Sequence, residues 1–297
     1  MNRIPEYQPD NFKSIINVER PNTRKIFNDF FIEPLSVLDE RTVMPSLPHR
    51  KTVNDFVFII QGELDKLVCS DVFTMKAGMF MVLPNYKIRS LLRHSKNIEG
   101  FYCHFSNDFI SEYGGQKKLQ EIFHLTELTN IHTFFVDSDR KERLAFLLQQ
   151  MLLLYQESGN DNLLKLYLNT VLGELAHFVK SQPIPVFSPR ENITQQFRKL
   201  ITTHIQNTHA IQAYANLLHV SPNHLNKCVK STTGKTASEL INEALLMEAK
   251  ALLSLPKYVI SEVAFSLGFE DVSYFSRFFK KHTNQTPSEY RGMIDLS

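Results

Sequence analysis

The sequence has no tryptophan, three cysteines and ten glycines among its 297 residues. Cys69, Cys103 and Cys228 are odd in number, far apart and form no CxxC pair. That spacing argues against a disulfide framework or a cysteine-built metal site, and suits free thiols in a reducing cytoplasm. No run approaches 18 apolar residues, so no membrane span is expected. Residues 1–12 are polar and lack the apolar segment of a signal peptide. A strong charge of one sign is missing too: 33 Lys+Arg against 31 Asp+Glu leave +2. Charge alone therefore identifies no nucleic-acid partner. The slight basic excess sits at the C-terminal end, where residues 190–297 hold 12 Lys+Arg against 9 Asp+Glu.

What is present is apolar bulk. Hydrophobic residues make up 43%, with 23 Phe, enough to build two cores. Residues 181–190 (SQPIPVFSPR) hold three prolines without helical periodicity and read as a linker. It separates residues 1–180 from 191–297. Ser188-Pro189-Arg190-Glu191 is a helix start, with a cap, a proline at the first turn and a glutamate at the third position. Before the linker, residues 26–110 alternate apolar and polar positions between turn signals, as in Phe56–Ile60, Phe73–Met75 and Met79–Leu83, which predicts a sandwich or barrel of short strands. Residues 139–158 and 161–181 change period. Leu144, Leu148, Met151 and Tyr155, then Leu164, Leu168, Leu172 and Leu175, recur at helical spacing on either side of a turn. The faces are wide enough that this hairpin is expected to pack on the barrel and to offer a homodimer seam.

Beyond residue 190 the chain repeats itself. Ala215, Leu218 and Val220 match Ala264, Leu267 and Phe269 at an offset of 49. After one inserted residue, Leu225, Lys227, Val229, Lys230, Thr233, Thr236, Ser238 and Glu239 match Phe275, Arg277, Phe279, Lys280, Thr283, Thr286, Ser288 and Glu289 at an offset of 50. Each copy reads as helix, tight turn, helix. Ser221-Pro222 opens the second helix of one copy; Gly268 ends the first helix of the other and Asp271 caps its second. Residues 236–255 form a helix between the copies, opened by the capping box Thr236–Glu239 and stopped by Pro256. Its 18 or so residues rise about 27 Å. With its flanking turns it could hold two recognition helices about 34 Å apart, one turn of B-DNA.

Apolar spacing sorts the second helices. Leu225 and Val229, then Phe275 and Phe279, face inward. That leaves Asn223, Asn226, Lys227 and Lys230 outward on the first and Ser273, Tyr274, Arg277 and Lys280 outward on the second. Asn matches adenine and Arg matches guanine edge-on, while Lys more often meets phosphate. Double-stranded DNA is the expected partner.

Ile260–Ala264, Leu267-Gly268-Phe269, Ser273–Lys281 and Thr286–Arg291 closely resemble the C-terminal signature of the AraC/XylS transcription regulators. The resemblance covers about 190–295 and implies two helix-turn-helix units joined by one helix, with Asn223, Asn226, Lys227, Ser273, Tyr274 and Arg277 reading bases. Asn284 departs from the family's usual glycine, which the first copy keeps at Gly234; Asn is the next most tolerant residue of a left-handed turn. More weakly, Phe58–Leu64 and Ala77–Pro84 resemble the family's cupin-type effector domain. The fold class implied is α+β in two domains: an N-terminal cupin-like β-barrel with a helical hairpin, then an all-α double helix-turn-helix domain. An effector-controlled, cytoplasmic, non-enzymatic regulator follows from the resemblance, with promoter half-sites as target and RNA polymerase as a partner if it activates.

Three other readings compete. A cupin metalloenzyme needs a His-x-His pair; His49 and Glu63 are present, but Lys87 stands where a later His is often seen, and His94 and His104 are isolated. No metal and no cofactor is expected. A methyl-accepting repair protein needs a reactive cysteine among metal ligands, which Cys69 and Cys103 do not offer. Ligand-independent DNA binding leaves the first 180 residues without a task. Candidate effector-lining residues on inward strands are Phe56, Phe58, Met81, Tyr86, Tyr102 and His104; plain core is the competing reading of most of them.

Overall fold

A computed structural model describes residues 25–38, 44–129, 133–157, 160–182, 186–255 and 258–295. The polar start at 1–12, Ser158-Gly159 of the hairpin turn, residues 183–185 of the linker and Pro256 lie outside them. The described residues fall into two compact units, divided between 182 and 186.

The first unit is a two-sheet β structure faced by helices. Its strands are β1 (Phe30–Pro34), β2 (Asn54–Gln61), β3 (Glu63–Val68), β4 (Asp71–Lys76), β5 (Met79–Leu83), β6 (Arg89–His94), β7 (Glu99–Phe105) and β8 (Thr133–Phe135). A five-stranded antiparallel sheet runs β1-β7-β2-β5-β8 and a three-stranded one runs β4-β3-β6. Side chains alternate across a strand, so one sequence feeds two cores. Val57, Ile59, Met81 and Leu83 meet Leu64, Val68 and Met75 between the sheets. Phe56, Phe58, Phe80 and Phe105 point the other way, onto helices α1 (Gly115–Thr129), α2 (Ser138–Gln156) and α3 (Asp161–Ser181). Helices α2 and α3 are the expected hairpin. Asp137 and Asn160 cap them, and Leu144, Leu148, Leu168 and Leu172 are fully buried. Burying each such side chain contributes about 1.5–3 kcal/mol, before the entropy of ordering it.

The register corrects two of the effector-lining expectations. Phe56 pairs with Val82 and Cys103, and Phe58 with Phe80 and Phe101, all on the helix-facing side. Both phenylalanines are therefore core of the helix layer and do not line the barrel interior. Tyr86 is corrected as well: it lies in the exposed turn after β5, not on an inward strand. Met81, Tyr102 and His104 do share the inward face, opposite Val57 and Asp55.

The second unit is all helical: α4 (Pro189–His204), α5 (Ile211–Leu217), α6 (Pro222–Thr233), α7 (Ala237–Leu253), α8 (Ile260–Ser266), α9 (Val272–Thr283) and α10 (Pro287–Asp295). Ser188, Pro189 and Glu191 form the expected capping box of α4, and burial of Phe197 and Ile201 fixes its inner face. Helix α7 has 17 residues, about 25 Å of rise.

Candidate nucleic-acid interface

The repeat seen in the sequence reappears as repeated hydrogen bonds. In the turns, Val220 N–H donates to Ala215 O and Phe269 N–H to Ala264 O, both at 3.0 Å. Ala215 and Ala264 are fully buried, small enough to let α5 and α8 seat against their partners. The turn position itself is left-handed in both copies, with φ +54 at His219 and +78 at Gly268. At the helix ends, Thr233 Oγ1 donates to Val229 O and Thr283 Oγ1 to Phe279 O, both at 2.8 Å. Gly234 and Asn284 then take the left-handed C-cap at φ +75 and +62. Asn thus performs the turn in which it replaces glycine. Thr236–Glu239 and Thr286–Glu289 both close as capping boxes. The backbone and hydroxyl donors of each threonine hold the glutamate below the ordinary carboxylate range.

Ser221 caps α6, accepting from His224 N–H, and Leu225, Cys228 and Val229 are its buried face. Asp271 caps α9, accepting from Ser273 N–H, and Phe275 and Phe279 are buried. Phe269 locks the second turn, its ring 5.2 Å from Phe275 and 5.4 Å from Phe278. On this scaffold Asn223, Lys227 and Lys230 are exposed along α6, and Ser273, Tyr274, Arg277 and Lys280 along α9. Tyr274 is 58% exposed. None of Lys227, Lys230, Arg277 and Lys280 forms a close ion pair with an acidic side chain among the described residues, although Lys230 lies near enough to Glu239, and Lys280 to Glu289, to lower their pKa values. The α6 and α9 faces also carry His224, Lys281 and His282, which the sequence reading passed over. They differ between the two copies, so matching the repeats gave them no support.

One expected reader is misplaced. Asn226 is half-buried, and its Oδ1 accepts the N–H of Ala237, the first residue of α7, at 3.0 Å. Its amide ties the first recognition helix to the connecting helix and does not face outward. A sequence signal existed. The matched residue of the second copy is Ser276, and the residue matching Ala237 is Pro287. Proline has no N–H to satisfy, so the second copy needs no such acceptor.

In the first unit the candidate metal residues are dispersed. His49 Nδ1 lies 2.7 Å from Leu47 O, His104 Nε2 2.7 Å from Phe27 O, and Glu63 pairs with Lys76 and Arg93 at the surface. Among the described residues no three His, Cys, Asp or Glu side chains gather as a metal site, and no helix is long and apolar enough to cross a membrane.

Residues 214–293 match the family described as a helix-turn-helix domain. The chain is 22% identical over 249 residues to an uncharacterized HTH-type transcriptional regulator, YisR, of Bacillus subtilis, covering 82% of this chain and 87% of that one. It is also 22% identical over 238 residues to the Msm operon regulatory protein of Streptococcus mutans, covering 80% and 75%. Among solved structures, ToxT of Vibrio cholerae aligns over 90% of this chain and 98% of its own, at 17% identity and a TM-score of 0.41.

Proposed function

We propose that this chain, a DNA-binding transcription regulator of the AraC/XylS type, reads two successive major grooves with one polypeptide, α6 in one and α9 in the next. The observation that carries the reading is the matched pair of capped helices, each bearing exposed cations along its outer face. A duplex supplies the anions, and release of its counterions supplies affinity. Asn223, Ser273, Tyr274 and Arg277 are the base readers; Lys227, Lys230 and Lys280 hold phosphates. The two faces differ in chemistry, Asn/Lys against Ser/Tyr/Arg, so the half-sites need not be alike. The site of action is cytoplasmic. RNA polymerase is the further partner if binding activates.

The α2–α3 hairpin is the proposed homodimer seam. Its support is the outward apolar set, with Phe146 63% exposed and Leu153, Leu163 and Leu166 also exposed on helices that otherwise bury their leucines. The N-terminal unit is proposed to bind a small-molecule effector that shifts the population of DNA-competent chains.

Selection of bound duplexes from random oligonucleotides tests the reading. Arg277→Ala is expected to relax preference at one base pair of one half-site, at a cost of about 1–3 kcal/mol. Failure to enrich any sequence, or an unchanged preference in the variant, would sink the assignment.

A further inference from the structure

The interior of the N-terminal barrel carries a charge cluster that the fold does not require. Asp55, at the start of β2, is fully buried. Arg89 of β6 donates to its Oδ2, and the same guanidinium also donates to Pro84 O and Lys87 O. That pair is complete: one carboxylate, one guanidinium, and carbonyls for the spare donors. Lys66 is surplus to it. It occupies the inward position of β3 between Leu64 and Val68, where the strand's alternation calls for an apolar residue. Its side chain is 9% exposed. Its ammonium stands 3.7 Å from Asp55 Oδ1, an ion pair too long for a hydrogen bond. Asp55 Oδ1 in turn is buried and accepts no hydrogen bond among the described residues. Lys51 adds a third buried cation, its Nζ 3.5 Å from Asp55 Oδ2 and 2.5 Å from the Tyr102 hydroxyl. The inward face beside them, Met81, Leu83, Val57 and Ile59, is apolar.

A buried ammonium without donors satisfied is costly, and so is a buried carboxylate oxygen without a donor. Such groups cluster at functional sites as well as in structural ion-pair networks. Here the deficits are adjacent: the 3.7 Å gap between the Lys66 ammonium and Asp55 Oδ1 leaves the one without a close acceptor and the other without a close donor. We propose that the barrel binds a small hydroxylated organic acid, its carboxylate on Lys66 and a neighbouring hydroxyl donating to Asp55 Oδ1. This rests on the effector reading above and gives it a chemical class. Burial lowers the Lys66 pKa from its ordinary value, against the pull of Asp55.

The test is thermal unfolding of the full chain with three probe sets at equal ionic strength: lactate, tartrate and gluconate; propionate and hexanoate; glycerol and glucose. At probe concentrations near a hundred times Kd, a hydroxy acid is expected to raise the N-terminal Tm by roughly 5–10 °C. The neutral polyols should leave it unchanged and the plain acids should act more weakly. Lys66→Met should lose the response, and Lys66→Arg should keep part of it. No shift with any hydroxy acid, an equal shift with a polyol, or an undiminished shift in Lys66→Met overturns the proposal. So does a Lys66→Met chain that cannot fold while Lys66→Arg can, which would make the ammonium a structural counter-ion of Asp55. Duplex selection with the same preparations separates the two readings: DNA enrichment without any acid effect rejects this ligand class alone.

Discussion

Replacing Asn226 by Ala separates a residue that reads DNA from one that builds the reader. The side chain accepts the Ala237 N–H at 3.0 Å, and Ala237 is fully buried. Removing the acceptor strands that N–H at the first turn of α7. A buried, unsatisfied donor costs about 1–3 kcal/mol. For a domain of this size that lowers the Tm of the C-terminal transition by roughly 4–10 °C. Asn226→Asp should hold stability within about 1 kcal/mol, because it keeps an acceptor and places negative charge at a helix N-terminus. The repeat supplies a sharper arm. Pro287 stands where α7 has Ala237, and Thr236 already has the extended backbone that must precede a proline, φ −75 and ψ 159. Ala237→Pro should therefore be tolerated and should remove the need for Asn226. In that background Asn226→Ala is expected to cost less than about 0.5 kcal/mol, a coupling of about 1 kcal/mol or more. Calorimetry of the four chains measures the cycle. Equal costs in both backgrounds would refute the capping role. So would an unchanged Tm together with a changed base preference at one position, which would return Asn226 to the readers.

Other consequences are simpler to state. Lys230→Ala should weaken binding to every duplex alike and reduce the slope of log affinity against log salt by about 1; an unchanged slope removes Lys230 from the phosphate contacts. At the two left-handed turns, His219→Gly should be neutral or stabilise by up to about 1 kcal/mol. Gly268→Ala should destabilise by more than that, since its Cβ would meet Gln206 O at 2.8 Å; urea unfolding compares the two, and equal effects would refute the assignment. Acid should weaken the N-terminal unit before the carboxylates titrate. Burial, then Lys51, holds His49 well below its usual value of 6.5. Below about pH 6.5 the unfolded chain binds a proton there that the folded chain refuses, so stability falls with falling pH by up to about 1.4 kcal/mol per pH unit. Urea unfolding at pH 7, 6 and 5 should show this slope, and His49→Gln should flatten it. Asp55 acts only at lower pH: burial would raise its pKa, but Arg89, Lys66 and Lys51 hold it well below 3.8, so its stabilisation is lost below about pH 4.

The helical half was more legible than the barrel. Caps, left-handed turns and buried small residues are local, and each is written as one residue type at one position. Because the unit occurs twice, Ser221-Pro222, Gly234, Thr236 and their partners near 270–290 vouched for one another. Alternation also found β2 and β5, but not which face was which. Phe56 and Phe58 are the largest inward-looking residues by eye, yet the helices α2 and α3 make a second core behind the sheet, and both rings belong to it. Only pairing with Val82 and Phe80 decides that, and strand register depends on partners far along the chain. Tyr86 failed for a plainer reason: Pro84-Asn85 is a turn signal, and the residue after it is still in the turn.

Asn226 and Lys66 fail the sequence rules in opposite ways. Asn226 satisfied the outward pattern and turned inward, because a neighbour's N–H lacked the proline that its repeat partner has. The general lesson for a repeat is that unmatched positions should be read in pairs: Asn226 against Ser276 is uninformative until Ala237 is set against Pro287. Lys66 broke the inward pattern outright, a cation on the apolar side of an otherwise regular strand. Local rules would discard it as noise on a surface strand. Placed beside Arg89 and Asp55, it is a second buried cation on a carboxylate that Arg89 already pairs with. Regulators that differ in what they sense are expected to differ at such inward polar positions, while the positions that form the two recognition units, with caps and turns in common, stay alike.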